Sequence, residues 1–226
     1  MGVEFKDQKL LKQSLVHRSY LNENPGFELD HNERLEFLGD AVLELIVTEY
    51  LYNNYPNPEG ELTNWRAALV NAKMLSILAK EINLDKYLYL SRGEAKDKSG
   101  KARDYILADV FEAVIGAIYI DQGYDSSKEF ISATVLKKLP EVLEKKLYID
   151  PKSNFQELAQ EKTGITPHYE VIKETGPDHA KNFMVGLKLG DELVAVGEGT
   201  SKQEAQEKAA RAGLEIKEWL DEASEE

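Results

Sequence analysis

The segment Asn32-Glu33-Arg34-Leu35-Glu36-Phe37-Leu38-Gly39-Asp40-Ala41-Val42-Leu43 carries two patterns at once. At helical period Leu35, Leu38 and Val42, continued by Leu45 and Ile46, fall on one side. Glu33, Glu36, Asp40 and Glu44 fall on nearly the opposite side. The spacing predicts a helix running to about Tyr52. Asp30, three residues before Glu33, reads as a capping box for it, which would give Glu33 a purely local role. A row of acids on one helix is by itself most simply a solvated face.

A second segment changes that reading. Asp104-Tyr105-Ile106-Leu107-Ala108-Asp109-Val110-Phe111-Glu112-Ala113-Val114-Ile115-Gly116-Ala117-Ile118-Tyr119 predicts a helix apolar nearly all round, and such a helix is usually buried. Asp109 and Glu112 share a face with the small residues Ala113 and Gly116. Carboxylates on a buried helix are costly unless paired or bound to a cation. This stretch holds no Lys or Arg to pair them. The simplest arrangement brings Asp109 and Glu112 against Glu36 and Asp40 around divalent metal. An all-oxygen site suits Mg2+ or Mn2+ rather than zinc.

With both segments in view, the chain resembles the ribonuclease III family. Asn32 to Leu43 is similar to the family signature and Ile106 to Glu112 to its second acidic motif, and the resemblance extends from about Phe5 to Leu220 in the bacterial two-domain form. It implies a mainly α chain: an all-α endonuclease domain at 1–148, then a small α+β (αβββα) double-stranded RNA-binding domain at 149–222. It implies a homodimer joined through the catalytic domain, acting in the cytoplasm on double-stranded RNA, with rRNA and mRNA processing as its setting. The cofactor would be Mg2+, with Mn2+ able to substitute. Glu36, Asp109 and Glu112 would hold metal. Asp40 would ligate it directly or through water and position the attacking water, leaving Asp40 and Glu112 as the catalytic pair. Products would carry 5′-phosphate and 3′-hydroxyl ends, and two sites related by a twofold axis would leave short 3′ overhangs. Glu33 and Glu59 are auxiliary acids in this picture; Glu59 reads equally as an exposed loop acid.

The bounds of the chain agree in part. Its 226 residues hold one large or two ordinary domains, and a 42% hydrophobic share is ample for a core. No apolar run reaches membrane-spanning length, and the start, Met1 to Asp7, has no apolar signal core. There is no cysteine, which removes disulfides and thiolate metal sites and fits a cytoplasmic protein. The net charge of -13 excludes a uniformly basic nucleic-acid binder, so any RNA contact must rest on local charge. Residues 1–150 carry 19 Lys+Arg against 25 Asp+Glu, and residues 151–226 carry 9 against 16. The four histidines have no metal spacing, which argues against a His-Asp phosphohydrolase, and the four central acids are intact, which argues against a binding module with a dead site.

The remaining stretches fill out this plan. Residues 5–22 read as one helix, with His17 as a hydrogen-bonded structural histidine rather than a catalyst. Tyr55 to Gly60 is a turn. Leu62 to Ile82 reads as a helix capped by Thr63, with Arg66 either solvated or near a phosphate. Ser91 to Arg103 holds Arg92, Lys96, Lys98, Lys101 and Arg103, with Gly93 and Gly100 as hinges. It reads as a basic flexible segment beside the acids, either solvated or in contact with RNA phosphates. A helix follows from Ser127 to Leu147, broken near Pro140, then a short linker at 148–151.

From Lys152 the order becomes helix (154–162), strands (168–175, 181–189, 192–198) and helix (201–220), with Ser201 and Glu204 as a capping box. By resemblance, Ser153, Gln156, Glu157 and Gln160 face minor-groove hydroxyls. Pro177, Asp178 and His179 form a loop entering the next minor groove, His179 reading also as an ordinary loop histidine. Lys202, Gln203 and Gln206 face phosphates from the start of the last helix. The sequence departs from the family here, because lysine is usual where Gln203 stands and basic residues are frequent where Gln206 stands.

Overall fold

The apolar helix sits at the centre of the first half, as its composition requires. In the computed structural model, which describes residues 2–96, 100–177 and 181–219, the first nine helices are α1 (Gln8–Ser14), α2 (Arg18–Glu23), α3 (Glu33–Asn54), α4 (Glu59–Val70), α5 (Ala72–Glu81), α6 (Arg92–Lys96), α7 (Lys101–Gln122), α8 (Tyr124–Thr134) and α9 (Leu139–Glu144). Helices α3, α5, α1 and α8 pack on α7. Leu107, Phe111, Ile115 and Ile118 of α7 are fully buried, each contributing about 1.5–3 kcal/mol by removal from water. From α3, Leu43, Ile46, Val47 and Leu51 meet them in one core.

Glycines set how closely the two long helices approach. A β-carbon on Gly116 would fall 2.1 Å from the Leu35 carbonyl oxygen, so α3 and α7 touch backbone to backbone. Larger residues there would hold the helices, and the acids they carry, apart.

Several local expectations are corrected. Residues 5–22 form two helices, not one. His17 N–H donates to the Tyr89 carbonyl and Tyr89 N–H to that of Leu15, so the backbone between α1 and α2 is drawn into a bridge instead of continuing the helix. His17 caps α2, its ring accepting from Ser19 N–H, the structural role expected of it. Asp30 caps nothing: α3 starts after Asn32, and the Asp30 carboxylate takes the neighbouring His31 N–H. Thr63 is no cap either. Helix α4 begins at Glu59, and the expected single helix breaks at Asn71, whose extended backbone ends α4 and whose side chain caps α5 through Met74 N–H. Leu45, placed on the apolar side, is 58% exposed. Gly93 is no hinge but lies within α6, whereas Gly100 at φ 101 does open α7. Pro140 falls in the first turn of α9, after a break in the predicted helix.

The chain divides into two units, Met1–Tyr148 and Ile149–Glu226. In the second, α10 (Pro151–Thr163) precedes a meander of β1 (His168–Thr175), β2 (Asn182–Leu189) and β3 (Glu192–Gly199), closed by α11 (Lys202–Ile216). The strands pair antiparallel in the order β1-β2-β3. Alternation buries Val185, Leu187 and Leu189 of β2 on one face. Phe155 and Ala159 of α10 and Ala209, Ala210 and Leu214 of α11 join Leu187, Leu189 and Val194 in the second core. Small residues let α11 lie flat on β3, since a β-carbon on Gly197 would meet the Ala205 carbonyl oxygen at 2.2 Å. Ser201 caps α11 as expected, but the Glu204 arm of the box closes on Thr200 N–H, one residue early.

Candidate metal centre and nucleic-acid interface

Helices α3 and α7 bring Glu36, Asp109 and Glu112 together, with a carboxylate oxygen of each lying within 4.8 Å of the others. All three are half-buried. Burial, and then their mutual repulsion, favour the protonated forms. Burial raises the Glu112 carboxyl to about 8, helped by the charges of Asp40, Asp109, Glu36 and Glu44. Glu36 is raised by burial and by Asp109, Glu33 and Asp40. Asp109 is raised by burial and, less, by Glu33, while its own backbone hydrogen bond opposes the rise. Asp40 is exposed and stands one turn beyond Glu36, outside the close group, though its charge is felt at Glu112.

The flanking acids differ from the central ones. Glu33 pairs with Arg18 at 3.2 Å. Glu44 pairs with Arg66 at 2.9 Å, whose Nη1 also donates to Thr48. Arg66 is therefore engaged by α3. Among the described residues none of Glu36, Asp40, Asp109 and Glu112 makes an ion pair. Clustered, half-buried carboxylates with no cationic partner and hard oxygen donors form a site that a divalent ion could fill. Glu59 lies at the start of α4, accepts from Thr63 Oγ1 at 3.0 Å and lines an open pocket of about 640 Å3 with Tyr52, Tyr55 and Arg66, away from the acid cluster.

The basic segment is only partly as expected. Arg92 and Lys96 on α6 are exposed, and α6 is fastened by Arg92 N–H to the Glu23 carboxylate and Ser91 N–H to Ser19 Oγ. Arg103 turns inward: its Nη2 donates to the Asp85 carbonyl, and its Nη1 is buried. It is not available to a phosphate. Lys98 lies outside the described residues.

On α10, Ser153, Gln156, Glu157 and Gln160 recur at helical spacing and are all exposed. Ser153 donates its hydroxyl to the capping Asp150 at 2.7 Å. Pro177 is exposed, while Asp178 and His179 lie outside the described residues. Lys202 is exposed with its ammonium 5.6 Å from the Phe183 ring centre. Gln203 donates to Glu207 within its own helix, and Gln206 accepts from Lys152 of α10 at 2.7 Å. Sequence reasoning passed over Lys152, Gly39 and the Arg66–Glu44 pair. Only the small residue at 39 inside an amphipathic helix gave any signal.

A helical unit bearing a half-buried carboxylate cluster is followed by an αβββα unit whose first helix presents a polar face. Comparison with known proteins agrees. Residues 7–139 match the Ribonuclease-III-like family and residues 151–217 the double-stranded RNA binding motif. The chain is 44% identical to Ribonuclease 3 of Carboxydothermus hydrogenoformans over 96% of its own length and 92% of that protein's. It is 42% identical to Ribonuclease 3 of Latilactobacillus sakei, covering 95% of this chain and 93% of the relative. The nuclease domain of ribonuclease III from Campylobacter jejuni, a structure concerned with the region involved in its dimer formation, superposes with a TM-score of 0.54 at 38% identity, over 61% of this chain and 92% of that one.

The chain belongs to the ribonuclease III family. It is an endoribonuclease of double-stranded RNA, built as a mainly α nuclease domain followed by an α+β RNA-binding domain. The family depends on divalent metal, and the cluster of Glu36, Asp109 and Glu112 could hold it. Among the described residues no helix is long and apolar enough to cross a membrane.

Proposed function

We propose that this chain hydrolyses double-stranded RNA with Mg2+ held by Glu36, Asp109 and Glu112, and with Asp40 and Glu112 as the catalytic pair. The observation that carries this is the unpaired carboxylate group on two helices in backbone contact. A divalent ion bound there supplies Lewis acidity, lowering the pKa of water and offsetting charge on the phosphate. Glu36 and Asp109 hold the site, one from each helix. Asp40, exposed at the rim, accepts a hydrogen bond from the attacking water and orients it toward phosphorus. Glu112, whose carboxyl burial and its acidic neighbours hold far above the usual range without metal, gains most from a cation that offsets that repulsion. Water rather than a ribose hydroxyl attacks phosphorus, and the bond from phosphorus to the 3′ oxygen breaks, so the ends are 5′-phosphate and 3′-hydroxyl and no histidine pair is needed. Mn2+ substitutes for Mg2+ on the same donors. Glu33 and Glu59 act as auxiliary acids: Glu33 tunes the cluster through its charge on Glu36 and Asp109, and Glu59 faces a second protomer.

The active form is a homodimer through the first unit. Phe37, Ala41, Leu45, Thr48 and Tyr52 form an exposed stripe along α3 beside the acids, with Phe37 82% and Tyr52 79% exposed. Large apolar side chains in line on a surface helix favour a protein interface. Two sites facing antiparallel strands would leave short 3′ overhangs. Arg92 and the α10, β1–β2 and α11 residues named above contact RNA, and the domains divide at about residue 148. The setting is cytoplasmic rRNA and mRNA processing. Incubation of the full chain with a long perfect RNA duplex, with and without Mg2+, tests this. Metal-dependent, double-stranded cleavage to ends that accept ligation after mapping is expected, and cleavage in EDTA, or cleavage leaving 2′,3′-cyclic ends, would overturn it.

A further inference from the structure

The second unit has to bind a polyanion with few positive charges to spare. Residues 151–226 carry 9 Lys+Arg against 16 Asp+Glu. Several of its lysines are already neutralised: Lys188 by Glu170, Lys208 by Glu204, Lys217 by Glu192 and Lys181 by Glu174. Lys152 and Lys202 are different. Among the described residues neither has a carboxylate within ion-pair distance. Each holds its ammonium over an aromatic ring instead, Lys202 at 5.6 Å from Phe183 and Lys152 at 5.3 Å from Tyr169. A ring positions a cation without cancelling its charge.

Lys152 also reaches across to α11, where its ammonium donates to Gln206 Oε1 at 2.7 Å. Lysine only donates, so the amide oxygen must face it and the two amide N–H donors of Gln206 are turned elsewhere. Gln206 lies four residues after Lys202, hence on the same face of α11. The charge of Lys152 thus stands beside the helix face that begins with Lys202. Gln203, by contrast, is engaged with Glu207 and brings no charge.

We propose that Lys152, through its bond to Gln206, is a phosphate-contact residue: α10 supplies to the face of α11 the positive charge that the glutamines at 203 and 206 do not. The ammonium attracts the RNA backbone, and Gln206, oriented and polarised by it, donates its amide N–H to the same phosphate oxygen. The inference rests on the reading that the first turns of α11 face RNA phosphate.

The test is a charge transplant in the full chain, made in a Glu112→Gln background with EDTA so that the duplex is not cut. Affinity for a long RNA duplex is followed by fluorescence anisotropy across a salt series. Lys152→Ala should weaken binding roughly five-fold near physiological salt and lower the salt slope by somewhat under one unit, the loss of about one phosphate contact. Gln206→Lys alone should gain little, because it sets a second ammonium against Lys152. The double variant Lys152→Ala/Gln206→Lys should recover both affinity and slope, since the charge returns to the same place. A residue that merely ties α10 to α11 would not be rescued in this way, so a double variant that binds as weakly and with as shallow a slope as Lys152→Ala overturns the proposal. So does a Lys152→Ala variant with unchanged slope. Lys202→Ala separates the two layers: a lowered slope there with none at Lys152 defeats only the Lys152 proposal, and an unchanged slope at both defeats the reading of α11 as well.

Discussion

A β-carbon on Gly39 of α3 would fall 1.8 Å from the carbonyl oxygen of Glu112 on α7. The residue without a side chain on one helix is therefore in backbone contact with a member of the acid cluster on the other. This contact, with its counterpart at Gly116, lets Glu36 and Asp109, from different helices, come within coordination reach of one another.

Gly39→Ala should accordingly do what alanine in a helix seldom does and destabilise the fold. Overpacking costs about 1–3 kcal/mol where side chains can adjust, and here the obstacle is backbone, so the upper part of that range or beyond is expected. Gly60→Ala on α4 is the control, with nothing within 4 Å of the added carbon. Alanine there should be neutral or slightly stabilising. Chemical denaturation of both variants checks this, and equal midpoints would mean that α3 and α7 are not held in backbone contact.

The raised carboxyls make stability depend on pH in a direction opposite to most acid-rich proteins. Glu112 moves from 4.5 to about 8, so between those values the folded chain binds more protons than the unfolded one. Its favourable contribution is complete below the lower value and is lost as the pH rises through the upper one; Glu36 and Asp109 shift in the same direction. In EDTA the melting temperature should fall from about pH 5 to about pH 8, and Glu112→Gln should flatten that fall. Added Mg2+ should raise the melting temperature most at the alkaline end, where the ligands are already ionised. A Glu112→Gln variant whose melting temperature varies with pH over this interval just as the parent's does would contradict the burial-raised carboxyl of Glu112.

The stripe on α3 carries its own prediction. Phe37→Asp should weaken dimerisation by about 2 kcal/mol or more, roughly 30-fold in the dissociation constant, without unfolding the protomer. The Phe37 side chain touches solvent, not the core. Sedimentation over a concentration series reads this directly. A variant that stays dimeric at the parent's concentrations would move the interface off this face.

The acid cluster was legible in the sequence because burial and charge conflict there. Asp109 and Glu112 interrupt an otherwise apolar helix, and that conflict has few physical resolutions. The strands of the second unit were legible through alternation, as at Val185, Leu187 and Leu189. What was not legible depends on partners distant in the chain. The split between α1 and α2 is made by Tyr89, some seventy residues away. Arg103 reads as one more loop cation until Asp85 is seen to hold it inward. Asp30 and Thr63 have the residue types of caps, but α3 starts after Asn32, which is bonded to Val16 and Ser14, and α4 starts after Pro58. Leu45 matched the apolar period, yet lies 58% exposed on the stripe assigned to the dimer. Lys152 had no signal at all, because its partners Gln206 and Tyr169 come from two other elements.

The most direct test of the account is single-turnover cleavage of a saturating RNA duplex in Mg2+ by Glu112→Gln, which keeps the shape of the side chain and removes its charge. If Glu112 holds metal with Glu36 and Asp109 and serves the chemistry, the rate should drop by about 10³-fold or more, equivalent to about 4 kcal/mol of transition-state stabilisation, while duplex affinity measured on the same preparation stays within a few-fold of the parent. Near-parental cleavage at saturating Mg2+ would remove Glu112 from the mechanism and contradict the assignment of the α3–α7 carboxylates as the catalytic metal centre.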